Sequence, residues 1–203
     1  METLANGLSP AVYEVEAKFF LTDAEAFREA LAREGFAATR TEEHIDRYFR
    51  HPARDFAATD EALRLRAVTV DGVTNAVLTY KGPRDDGPVK AREEIETPVP
   101  QPSEVASVLA ALGFSPVAVV ENRRDVFTRE STAATVTIDT VLDVGTYAEV
   151  EQVVANENRD AASELVLRTA AALGLPASAR EPRSYLEMLL AGSDARPANS
   201  HHP

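Results

Sequence analysis

The chain has 203 residues, 44% of them hydrophobic and 27% charged, which is enough for one sizeable globular core and argues against wholesale disorder. It contains no cysteine, which excludes disulfides, Cys-ligated zinc and thiol nucleophiles, so any metal must be held by oxygen or imidazole. A formal net charge of −12 opposes broad adhesion to nucleic acid or anionic membranes, and no apolar run approaches the roughly 18 residues of a membrane span.

Residues 1–11 are expected to form a flexible arm, residues 12–191 a single domain and residues 192–203 a disordered tail. No basic and apolar leader opens the chain, so a cytoplasmic location is expected. A strand from Val12 to Leu21 places Glu14, Glu16 and Lys18 on one face and Tyr13, Val15, Ala17 and Phe19 on the other. A helix then opens at Thr22, where Thr22 and Glu25 have capping-box spacing, and stops at Gly35 with Phe27, Ala30 and Leu31 as its buried stripe. "EHIDRYFR" reads as a strand and "HPARDFAATDE" as a loop. "ALRLRAVTV" and "VTNAVLTYK" flank Asp71-Gly72, a dipeptide that favours a tight hairpin. "VKAREEIETPV" is a further strand, followed by a helix from Ser103 to Leu112 that ends at Gly113. The strands "PVAVVENRRDVFT", "ATVTIDTV" and "TYAEVEQVV" follow, then a helix from Asn158 to Leu173 and a last helical turn or two in "RSYLEMLL". About eight strands joined by short turns suggest an α+β fold with an antiparallel barrel or strongly curved sheet flanked by helices.

The charged face of the first strand recurs. Arg64 and Arg66 share a face, as do Lys90, Arg92, Glu94 and Glu96, and Glu149 pairs with Glu151. Asp139 follows Thr135 and Thr137 on one face, and Lys81 ends its strand before Gly82 and Pro83. One such face can simply meet water. Faces on six strands, dense in Arg and carboxylates, instead suggest a barrel with its apolar side beneath helices and its charges in a wet interior. Guanidinium groups hold phosphate oxygens through paired, charge-assisted hydrogen bonds. Mg²⁺ or Mn²⁺ takes carboxylate oxygens and bridges them to phosphate, which reconciles both signs of charge in one cavity. No Gly-rich phosphate loop ending in Lys-Ser/Thr is present.

"EVEAK" resembles the Glu-x-Glu-x-Lys signature of the CYTH family, the triphosphate tunnel metalloenzymes, and "HIDRYF", "RDFAATDEALRLR", "LTYKGP", "REEIE", "PVAVVENRR", "IDTV", "GTYAEVE" and "RSYLEML" resemble, in order, the blocks of its class IV adenylate cyclase-like branch. The resemblance covers Tyr13 to Leu190 and implies a closed, eight-stranded antiparallel tunnel that binds one or two divalent metals, Mg²⁺ or Mn²⁺, and a triphosphate. By it, Glu14, Glu16, Glu149 and Glu151 are metal ligands with Asp139, assisted by Glu94 or Glu96. Arg64, Arg66, Lys81, Lys90, Arg92 and Arg124 contact phosphates, and Lys18 bonds phosphate or a carboxylate. Glu14, Glu16, Lys18, Arg66 and Lys81 carry the reaction. Where relatives often have Lys-x-Arg on the sixth strand, this chain has Asn122, Arg123 and Arg124, with Arg123 expected on the opposite face.

The expected partners are a nucleoside triphosphate or inorganic polyphosphate, without nucleic acid or membrane, in a monomer or homodimer. The expected activity is conversion of ATP to cyclic AMP and pyrophosphate. The alternatives are hydrolysis of inorganic, thiamine or nucleoside triphosphate, and a non-catalytic nucleotide or polyphosphate receptor. His44 and His51 lack metal-ligand spacing and are expected to be structural or at the surface. Ser184 and Tyr185 are expected to pack a helix rather than do chemistry, and Phe19, Phe20 and Tyr80 to pack the wall.

Overall fold

The structure is a computed structural model that describes residues 12–194 apart from residues 86 and 88; the expected arm and most of the expected tail lie outside the described residues. The strands are β1 (Val12–Phe20), β2 (Ala37–Arg50), β3 (Ala62–Val70), β4 (Val73–Lys81), β5 (Lys90–Pro98), β6 (Ser115–Thr128), β7 (Thr135–Val141) and β8 (Gly145–Ala155). They close into one barrel in the order β1-β5-β4-β3-β2-β6-β7-β8, every pairing antiparallel. Closure leaves no free sheet edge. The helices are α1 (Ala24–Arg33), α2 (Pro102–Ala111), α3 (Arg159–Ala172) and α4 (Tyr185–Asp194). The expected α+β barrel with flanking helices is therefore the fold.

The apolar sides of the strands face outward and are covered in part by helices, while Ile45, Ile95 and Val119 stay exposed. Val15, Ala17 and Phe19 of β1 share a core with Phe27 and Leu31 of α1 and with Ala162, Val166 and Ala170 of α3. A second cluster joins Phe49 of β2, Leu63 and Leu65 of β3 and Ala76 of β4 to Leu109 of α2. Period-two alternation then sends the ionic residues of the same strands into the lumen. Arg123, on β6, is exposed and pairs with Asp125 outside the barrel, as the alternation requires.

Local chemistry sets the element ends. Helices α1, α2 and α3 each stop at a glycine with positive φ, Gly35 at +77°, Gly113 at +90° and Gly174 at +78°. In each, the residue after the glycine donates back five positions, as in Phe36 N to Leu31 O, Phe114 N to Leu109 O and Leu175 N to Ala170 O, which is the Schellman closure. The α1 cap differs from expectation. Asp23, not Thr22, is the N-cap, and its carboxylate accepts from Ala26 N at 2.9 Å. Ala30 is half-buried, so Phe27 and Leu31 alone of the expected stripe enter the core. Strand β2 starts at Ala37, well before the expected Glu43, because its polar first half pairs with the far end of β6. Helix α4 runs on to Asp194, past the expected domain end at residue 191.

Candidate functional site

The lumen holds a cavity of about 350 Å³ reached by Glu14, Glu16 and Lys18 from β1, Arg64 and Arg66 from β3, Lys81 from β4, Lys90 and Arg92 from β5, Arg124 from β6 and Glu149 from β8. Nearly every charge in it is paired across strands. Lys81 Nζ donates to Glu14 at 2.6 Å and Glu94 at 3.2 Å, and Lys90 Nζ donates to Glu16 at 2.9 Å. Lys18 lies 3.1 Å from Glu149 and 3.9 Å from Glu16. Arg66 grips Asp46 with two hydrogen bonds, Nε to Oδ1 at 2.6 Å and Nη2 to Oδ2 at 2.7 Å, and Arg64 reaches Asp46 at 3.4 Å. Arg124 repeats the grip on Asp139, with Nε to Oδ1 at 2.7 Å and Nη2 to Oδ2 at 2.7 Å, and reaches Glu149 at 2.5 Å. Arg92 approaches Asp60 at 3.9 Å. Glu96 accepts from Thr79 with its side chain half exposed.

The exception is Glu151. It sits directly opposite Glu16 in the β1–β8 ladder, and its nearest cation is Arg124 at 3.8 Å. Burial, reinforced by Glu14, Glu149 and Glu16 and only partly offset by Arg124, pushes its carboxyl up to about 8. Burial also opposes ionisation of Glu16, but Lys90, Lys18 and Lys81 outweigh it and hold Glu16 well below the usual range. Lys18 is disfavoured by burial yet raised by Glu149 and Glu16, so it stays an ammonium. Asp139 is opposed by burial and held at about 2 by Arg124, Asn122 and Tyr185.

The donor set fits a divalent cation. Glu14, Glu16, Glu149 and Glu151 are hard oxygen donors crowded on β1 and β8, and the Glu16–Glu151 apposition helps to oppose ionisation of Glu151, an effect that a bound cation would reverse. Each retains lone pairs beyond its present partners. Among the described residues, no three carboxylate or imidazole groups converge as a ready-made cage, and Glu14, Glu16 and Glu149 are paired instead with Lys81, Lys90 and Arg124.

Of the residues expected in the site, Asp139, Glu151, Glu94 and Glu96 do not border the cavity themselves; Asp139 and Glu151 pair with Arg124, which does. Three participants, Asp46, Asp60 and Arg84, have no expected role from the sequence, and Tyr185 departs from its expected packing role. Asp46, 3% exposed, anchors two arginines; "HIDRYF" carries it in alternation with His44 and Tyr48, which was the available signal. Tyr185 enters the lumen rather than packing only on its helix, as its hydroxyl donates to Asp139 at 2.8 Å. Burial, reinforced by Asp139 and Glu149, raises that hydroxyl well above the tyrosine range, so it keeps its proton. Asp60 and Arg84 bond each other and tie the mouth to the C-terminal segment, Arg84 donating to Pro182 O at 2.6 Å and to Glu187 at 3.2 Å. His44 is buried and structural, bonded to Glu42 at 2.7 Å. Asn122 is buried and donates to Asp139 at 3.0 Å.

The comparisons with known proteins agree with this geometry. A Methanocaldococcus jannaschii protein provisionally named an adenylate cyclase is 33% identical over 86% of this chain and 97% of its own. A solved structure from Pyrococcus horikoshii matches with a TM-score of 0.79 and 37% identity over 88% of this chain and 98% of that one. A Hippeastrum protein described as a provisional adenylyl cyclase with a dominant triphosphatase activity shares the fold, with a TM-score of 0.63 and 19% identity over 89% of this chain and 96% of that one. The CYTH domain profile matches residues 12–185, the span from the first barrel strand to the tyrosine that enters the lumen, and the chain belongs to the CYTH family.

Proposed function

We propose that the protein is a divalent-metal-dependent enzyme acting on a triphosphate, with conversion of ATP to cyclic AMP and pyrophosphate as its leading reaction. One observation carries this reading: cations on five strands and carboxylates on two adjacent strands line the same closed lumen. A solvated face or a simple anion receptor has no use for Glu16 and Glu151 set opposite each other.

Glu14, Glu16, Glu149 and Glu151 would hold the metal, which when bound supplies Lewis-acid neutralisation of phosphate charge. Arg66 and Arg124 each have the Nε–Nη2 edge locked on an aspartate, which fixes the plane of the guanidinium; Nη1 of Arg66 is left for a phosphate oxygen, whereas Nη1 of Arg124 faces Glu151 at 3.8 Å and would be shared with it. Arg64, Lys81, Lys90 and Arg92 add positive charge along the lumen, and such preorganised charge stabilises the developing charge on a leaving pyrophosphate. Apolar groups at the mouth favour an organic triphosphate. Tyr48, Phe56, Val117, Leu186 and Leu190 border the same cavity, and a flat base would cover them. Hydrolysis of a triphosphate is the second reading, since the same fold carries a dominant triphosphatase activity in the Hippeastrum protein.

The test is incubation with ATP or inorganic triphosphate and Mg²⁺ or Mn²⁺, with separation of products. Cyclic AMP with pyrophosphate is the expected result. ADP with orthophosphate, or pyrophosphate with orthophosphate, transfers the assignment to hydrolysis. Neither turnover nor binding removes the reading altogether.

A further inference from the structure

The segment between α3 and α4 is woven into the tunnel mouth. Arg180 bridges Phe19 of β1, Glu181 N donates to Lys18 O at 2.8 Å, and the Arg183 carbonyl accepts from both Lys18 Nζ and Lys90 Nζ at 3.3 Å. Ser184 and Glu187 then cap α4 reciprocally, Ser184 N donating to the Glu187 carboxylate at 2.5 Å and Glu187 N to Ser184 Oγ at 3.1 Å. Tyr185, first residue of α4, is thereby aimed into the lumen. Its hydroxyl bonds Asp139, its ring lies 3.9 Å from Lys18 Nζ, and Tyr147 packs on it with centroids 5.5 Å apart.

Asp139 is 0% exposed and accepts four close hydrogen bonds, from Arg124 Nε, Arg124 Nη2, Asn122 Nδ2 and the Tyr185 hydroxyl. A carboxylate has about four lone-pair sites. Its acceptor capacity is full, unlike that of Glu14 or Glu151. Lys18 is held in place by Glu149, the Arg183 carbonyl and the Tyr185 ring, with Glu16 at 3.9 Å.

We propose that Tyr185 is a positioning residue that, through a saturated Asp139, sets Arg124 and Lys18 for phosphate binding, and that Asp139 serves as this anchor rather than as a metal ligand. The inference rests on the triphosphate reading above. It divides the acidic residues of the lumen into two functions, with the β1 and β8 glutamates for the cation and Asp139 for the guanidinium. The tyrosine hydroxyl contributes one of the four bonds that fix the Asp139 carboxylate, and its ring helps to hold the Lys18 ammonium.

The test measures two affinities of the full-length protein by calorimetry, Mn²⁺ alone and inorganic triphosphate with Mn²⁺ present, in the wild type and in Tyr185→Phe, Tyr185→Leu and Asp139→Asn. Tyr185→Phe should weaken triphosphate by about tenfold, at the lower end of what outer partners of a site contribute, while Mn²⁺ affinity moves less than about twofold. Tyr185→Leu should weaken triphosphate further, because Phe retains the ring over Lys18 and Leu does not. Asp139→Asn should follow the same split. Mn²⁺ affinity falling in step with triphosphate in the Tyr185 variants, selective loss of Mn²⁺ in Asp139→Asn, or triphosphate binding unmoved by either Tyr185 variant overturns the proposal. A wild type that binds no triphosphate overturns the underlying function as well, whereas wild-type binding with unmoved variants overturns only the roles given to Tyr185 and Asp139.

Discussion

Glu14 is the residue at which ligation and stability separate most cleanly. It is one of the crowded carboxylates of β1 and β8, yet its loss leaves Lys81 paired with Glu94 at 3.2 Å, so no buried ammonium is stranded. Glu14→Ala should therefore abolish turnover while the protein stays folded; Glu16→Ala should abolish it too and leave the protein folded at some cost in stability, because Lys90 keeps only the Arg183 carbonyl. The metal-free melting temperature of Glu14→Ala should equal or exceed that of the wild type, and the rise that Mn²⁺ produces in the wild type by binding the native state should shrink. Scanning calorimetry with and without Mn²⁺, beside a product assay, checks both. Wild-type turnover in both variants would remove the proposed metal site. Most lumen residues were legible at this scale because charge repeated at every second position. Tyr185 was not, since one tyrosine on an amphipathic helix gives no sign of whether it packs or points into a cavity. The Ser184–Glu187 capping spacing carries that information, for it fixes where α4 begins and hence where Tyr185 is aimed.

Elements with a strong local code were read to their ends, and those relying on distant partners were not. Strands β3 and β4 match expectation residue for residue, because alternation and the Asp71-Gly72 turn agree, with φ of +50° and +79° at the two turn residues. Strand β2 is longer than read because its exposed first half has no apolar face of its own and is held by the β6 ladder. The α1 cap moved one residue because Asp23 reaches a free helix N–H, a geometric choice between two acceptable capping residues. Two glycines give a graded prediction. Gly72 has open space where a Cβ would go, so Gly72→Ala should cost only the positive-φ strain, about 1 kcal/mol. Gly113→Ala meets the same strain at +90° and brings its Cβ to 3.2 Å from Pro52, so it should cost more. Denaturant midpoints of the two variants compare these costs directly, and equal losses would contradict the tighter fit at Gly113.

At the scale of the whole molecule, a chain of net charge −12 holds several of its cations, among them Arg64, Arg66 and Arg124, in buried or part-buried pairs with carboxylates, which gives its stability at acid pH a definite direction. Burial opposes ionisation of Asp46, but Arg64 and Arg66 outweigh it and hold the carboxyl well below the ordinary value near 3.8. The hydrogen bond from His44, against the opposing effect of burial, helps to hold Glu42 at about 2. Lowered carboxylates stabilise the native state fully above their unfolded values and lose that contribution as pH falls toward their folded ones. Stability should therefore decline from about pH 4 downward, and Asp46→Asn should be less stable at neutral pH with a shallower acid limb. Urea titrations from pH 2 to 7 measure this, and an unchanged acid slope would contradict the role of Asp46. The sequence by itself determined the strand count and the alternation that sends ionic side chains one way and apolar ones the other, because period two is a property of the chain alone, and its ordered motifs carried the resemblance to the CYTH family. Only the tertiary structure decided which charge meets which. Barrel closure brings β1 between β5 and β8, placing Glu16 against both Lys90 and Glu151, and carries the C-terminal Tyr185 to Asp139. Those contacts depend on strand order, register and the path of a late segment across the mouth, and no local pattern in the sequence encodes these.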